Sequence, residues 1–171
     1  MMHKARLPRQ ADIDDTAQKS ASSPSGMSKT DPAYLGYWSE EEMLHFLKDL
    51  LEGERTGIRA FAAIGRAADL RVADLVFESE LAQGAICVLL KKEICARGGT
   101  DVLRRKRVPA MASSKCNLQR AVTFACRHQT RLSDMIEDAV LNIFDSKLNA
   151  KLMYLLLLHR KQVEQLETLL S

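Results

Sequence analysis

Four residues of this chain could do chemistry together if the fold brings them to one place: Glu54, Glu80, Gln83 and His159. Each stands three or four positions from apolar neighbours, on the stripe that a helix turns toward its core. A buried carboxylate is costly unless it is paired, protonated or bound to a metal. Carboxylate and imidazole on facing helices are donors for iron or manganese. In di-iron carboxylate bundles two helices each give a Glu and the other two each give Glu-x-x-His, a spacing that aims both side chains at one pair of ions.

Measured against that requirement the set is partial. The second helix carries Glu80 and Gln83 but no histidine three residues after either. The fourth carries His159, with Leu156 where the companion Glu would stand and Arg160 directly after. Glu137 on the third helix adjoins Ile136, which fits the apolar stripe better, so Glu137 belongs toward a flank. The residues therefore predict a polar core cluster of Glu54, Gln83 and His159, with Glu54 and His159 paired across the core and helix register fixed by the pairing. The alternative is a reduced metal site of Glu54, Glu80, His159 and Glu137. His45 and His128 are expected exposed or on flanks.

The elements that must position these groups are helices. Leu44, Leu47, Leu51, Glu54, Ile58 and Phe61 recur at steps of three and four, predicting a first helix over about 40–67. Ser39 and Glu42 form a capping box ahead of it. The aromatic cluster Tyr34, Tyr37 and Trp38 just before the box is expected to pack back on the bundle. After a short joint near Asp69, a second helix over about 71–97 carries Val76, Glu80, Gln83, Cys87, Leu90 and Ile94, and Gly98-Gly99 closes it. A third over about 115–143 carries Leu118, Val122, Ala125, Leu132, Ile136, Val140 and Ile143. Asp145 caps a fourth over about 146–170, with Leu148, Leu152, Leu155, His159, Val163, Leu166 and Leu170 inward.

The joints between helices 1 and 2 and between helices 3 and 4 are short, which makes two antiparallel hairpins. The connection between helices 2 and 3 is about 15 residues, long enough to cross the length of a bundle. The expected fold is all-α, a four-helix bundle over 34–171 with that long crossover. Residues 1–33 are polar and aperiodic and are expected to form a disordered arm.

Composition agrees with one helical domain. The chain has 171 residues, 46% of them hydrophobic, with only 8 Gly and 4 Pro to make turns. Its formal charge of +3 gives no reason to invoke nucleic acid. Arg104, Arg105, Lys106 and Arg107 form a basic loop, an anionic-partner reading that lacks interleaved aromatics to stack a base. Cys87, Cys95, Cys116 and Cys126 show no C-x-x-C spacing, so they are expected as free thiols of a cytoplasmic protein. The longest apolar run, 152–158, falls far short of the roughly 20 residues that span a bilayer.

The segment Leu50-Leu51-Glu52-Gly53-Glu54-Arg55-Thr56-Gly57 resembles the first-helix signature of a bacterial ferritin-like family of unknown function. QGAICVLLKKEICARGG, residues 83–99, is similar to its second-helix signature, with Cys87 and the closing Gly-Gly in place. The fourth helix resembles the family around His159. Gln83 replaces an acidic residue of that pattern, Glu93 a histidine and Arg160 a glutamate. The resemblance covers about residues 40–170 and implies a ferritin-like bundle, some of whose relatives hold a metal. With anionic ligands lost and a cation gained, the expected function is a non-catalytic helical domain acting through a homodimer or a protein partner. Metal binding or oxidoreductase activity with a reduced ligand set is the alternative.

Overall fold

A computed structural model of the chain describes residues 35–100 and 117–171. The expected arm, 1–33, and the basic loop Arg104–Arg107 lie outside the described residues. The described residues form four helices: α1 (Glu40–Ala67), α2 (Leu70–Ala96), α3 (Leu118–Asn142) and α4 (Ser146–Thr168). The protein is an all-α four-helix bundle.

The helix ends follow from local chemistry. Ser39 caps α1 as the first half of a capping box, and the Glu42 carboxylate returns to the Ser39 backbone N–H at 2.9 Å. Asp69 caps α2, Asn117 caps α3, and Asp145 caps α4 by accepting from the N–H groups of Lys147 and Leu148. α2 stops in a Schellman motif. Gly98 adopts φ +72°, and the Gly99 N–H reaches back to the Ile94 carbonyl at 2.9 Å. The aromatic cluster packs back as expected: the Trp38 and Phe46 rings lie 5.4 Å apart, the Tyr37 and Phe144 rings 5.2 Å.

Contacts at the helix ends give the topology. Trp38 N–H donates to the Asn142 carbonyl, so the start of α1 adjoins the end of α3. Arg97, just past α2, meets Glu40 at the start of α1 and Asp145 just before α4. One end of the bundle thus holds the start of α1, the end of α2, the end of α3 and the start of α4. The start of α3 is at the other end, where Ala121 and Val122 pack with Ile64, Val76 and Leu166. α2 and α3 run parallel, and the chain passes from end to end between them. A bundle of this length is about 40 Å tall, within the reach of a connection of this size.

The interior is divided. Near the Trp38 end a large apolar cluster holds Leu47, Leu50, Leu51, Ile86, Leu90, Ile94, Leu132, Ile136, Leu148, Leu152 and Leu155. Near the other end a smaller one holds Phe61, Ile64, Val76, Val122, Ala125 and Leu166. Every helix carries buried polar residues in the gap between its two apolar stretches: Glu54 on α1, Ser79 and Gln83 on α2, Gln129 on α3, with Ser133 one turn further on, and His159 and Gln162 on α4.

Candidate functional site, a polar waist

The polar layer between the two cores is the site the fold builds. Glu54 and His159 are fully buried, and Glu54 Oε1 lies 2.8 Å from His159 Nε2. The oxygen stands off the ring's N–H direction, so the contact is a charge contact rather than an aligned hydrogen bond. The other ring nitrogen is oriented by α3: Nδ1–H donates to Gln129 Oε1 at 2.6 Å. With the Nδ1 proton spent on Gln129, Nε2 and a carboxylate oxygen would face each other as two acceptors.

Gln83 joins the layer through a glycine. A Cβ on Gly57, one turn past Glu54, would stand 2.3 Å from Gln83 Oε1 and 2.6 Å from Nε2. α2 can therefore lay its amide against the backbone of α1 only because Gly57 has no side chain. Neither end of the Gln83 amide is hydrogen-bonded to the described protein, nor are the second Glu54 oxygen, Gln129 Nε2 or Gln162 Oε1. Such atoms are ordinarily satisfied by internal water bridging two to four of them.

His128 borders the layer, half-buried on a flank of α3. Its Nε2–H donates to the Gly53 carbonyl at 2.8 Å, and its ring stacks on Phe124. Burial holds its pKa below the usual imidazole value, against the opposing pull of the Gly53 carbonyl and Glu54. His159 and Arg131 push the same way as burial. His45 is exposed, as expected, beside Asp49.

Of the residues expected at a metal site, only Glu54 and His159 come together. Glu80 is half-buried and lines a surface groove with Ala62, Arg66, Asp74 and Phe77 instead of facing the core; Ser79 takes the inward position. Glu137 lies on the surface, where Arg160 donates to it at 2.9 Å. Among the described residues no three His, Cys, Asp or Glu side chains converge to hold a metal ion. The donors present, one carboxylate and one imidazole beside neutral amides, do not fit a di-iron ligand set.

Glu93 stands where the resembled pattern has a histidine, and it does electrostatic work at the bundle end. It accepts from Lys151 of α4 and from Arg97, whose other nitrogen donates to Asp145. Burial alone would raise the carboxyl pKa of Glu93, but the hydrogen bonds from Lys151 and Arg97 outweigh it and hold it below the usual range. Asp145 is lowered too: burial is overcome by the N–H groups of Leu148 and Lys147 and by Arg97.

Sequence periodicity missed Gln129 and Gln162. A signal for both existed. The α3 stripe jumps from Ala125 to Leu132, and Gln129 fills the gap at steps of four and three. Gln162 stands three after His159 and four before Leu166. Among the described residues no helix is long and apolar enough to cross a membrane. No family model, curated protein or solved structure matches the chain.

Proposed function

We propose that this chain is a ferritin-like helical domain that works by assembling with a second copy of itself, not by catalysis in its core. The observation that carries the reading is the outer surface of α2. Phe77, Leu81 and Val88 point away from the core and are 57%, 58% and 53% exposed, although the opposite face of the same helix is buried. A helix apolar on both sides is a helix with two packing partners, and only one lies among the described residues. Met153, Tyr154 and Leu157 are similarly exposed on α4. Cys95 and Cys126 are free thiols, which suits a reducing cytoplasm. Sedimentation equilibrium across a concentration series tests the reading. A mass of twice 19.2 kDa supports it, and a monomer at every concentration refutes it.

A second reading has one observation in its favour. The Glu54–His159 contact, with a Glu54 oxygen left unpartnered, offers an anionic and an imidazole donor to a single cation. Elemental analysis of purified protein decides it: stoichiometric iron or manganese that disappears in Glu54→Ala would establish a metal protein.

A further inference from the structure

The outward face of α2 has a centre, and the centre is a glycine. Phe77 and Leu81 precede Gly84, Val88 follows it, and the steps of four, three and four place all four on one side of the helix. Among the described residues nothing packs on Gly84 in a way that needs a glycine. A Cβ there would meet nothing within 4 Å, and among the described residues positive φ occurs only at Gly36 and Gly98. A mid-helix glycine with no steric or dihedral reason weakens the helix by about 1 kcal/mol relative to alanine. What the missing side chain does allow is close approach by a second helix at that point, with the larger Leu81 and Val88 on either side.

The charges along this face say which helix. The first half carries Asp74 and Glu78, both exposed; the second half carries exposed Lys92. Positions 74 and 92 differ by eighteen, five full turns, so the two side chains leave the helix in the same direction. In an antiparallel pair of identical helices, a two-fold axis carries each residue to the same lateral position at the opposite height. An axis at the level of residue 83, midway between 74 and 92, therefore sets each Asp74 against the other copy's Lys92. It also brings Phe77 to Val88 and Leu81 to Gly84, each pair out of level by one residue's rise, about 1.5 Å. A parallel pair would place Asp74 against Asp74.

The area supports more than a lone helix contact. A stripe 27 residues long is about 40 Å by 10 Å, roughly half of the ~800 Å² each partner buries in a standard interface. The groove where Ala62 and Arg66 of α1 adjoin Asp74 and Phe77 borders the same face, so α1 can supply the remainder.

We infer that two copies of this chain pair through α2, antiparallel, about a two-fold axis beside Gly84, with Asp74 and Lys92 as the reciprocal charge contact. The inference rests on the self-assembly reading above and adds the face, direction and register. Sedimentation velocity of the full chain at low salt tests it on four variants. Gly84→Leu is expected to weaken the dimer more than 100-fold. Asp74→Lys and Lys92→Asp should each weaken it on the order of 10-fold, since the symmetry repeats every like-charge contact. The double reversal Asp74→Lys with Lys92→Asp should return to within about threefold of the parent. Unfolding midpoints at concentrations where the parent is monomeric show that each variant folds. Single reversals without rescue in the double variant would overturn the register. A parent dimer indifferent to all four variants would place the interface elsewhere, leaving self-assembly standing. A monomeric parent would remove both.

Discussion

Glu54 on α1 and His159 on α4 meet at 2.8 Å in a layer that water-exposed surface does not reach, with His159 held from behind by Gln129 of α3. Three helices thus share one hydrogen-bonded, charge-coupled unit. Removing one partner strands the other. Glu54→Ala is expected to destabilise the fold by about 3–5 kcal/mol, whereas replacing both residues by leucine should recover most of that loss. Chemical denaturation of the two single variants and the double gives the coupling. Additive losses would show that the pair is not a unit.

Gly57 should tolerate alanine poorly even though alanine is the better helix former. The added Cβ would fall 2.3 Å from the Gln83 amide, with α1 and α2 packed on either side. A loss of about 1–3 kcal/mol is expected for Gly57→Ala. Gln83→Ala in the same chain should return most of it by clearing the space. If Gly57→Ala is neutral in urea unfolding, the two helices are not packed as closely as this layer requires.

The sequence made the four helices plain and the waist only in part, and α2 explains why. On α1 and α3 a single apolar face leaves one choice of interior, so Glu54 and Ile136 were assigned correctly. α2 is apolar on both faces, and periodicity then cannot separate Ser79, which is buried, from Glu80, which is not. Gln129 and Gln162 were passed over because an amide on a core stripe gives no hydropathy signal. The bond that His128 makes has no sequence signal for another reason: it depends on Gly53, where a Cβ would stand 2.5 Å from Leu132, letting α3 come close enough to reach the α1 backbone. Such close approaches depend on two distant segments at once.

His128 makes a pH prediction with a definite sign. Its folded pKa is depressed, chiefly by burial, so the unfolded chain binds the proton more readily. Its contribution is fully present above the unfolded value of about 6.5 and is lost as pH falls through that value toward the folded pKa. Stability should decline between about pH 7 and pH 5, and His128→Gln should remove part of that slope. Equal slopes in the two proteins would show that burial does not hold the ring's pKa down.

Glu93 and Asp145 act in a lower window. Both carboxyls have folded pKa values below the ordinary carboxylate range, so their stabilisation is present above about pH 4 and disappears as pH falls through the depressed values. Arg97 touches both. Arg97→Ala should flatten the acid limb of the stability curve while leaving the limb near neutrality, where His128 titrates, intact. Thermal unfolding from pH 2.5 to pH 7 separates the two limbs.

The most direct test of a protein that acts through its outer face and uses its waist for packing is to make the waist apolar and weigh the result. Glu54→Leu combined with His159→Leu, compared with the parent by sedimentation velocity after chelation, should keep the same dimer with the same dissociation constant. Loss of the dimer in the double variant, or a parent that falls apart on chelation and reassembles with iron or manganese, would contradict the account and put function in the core.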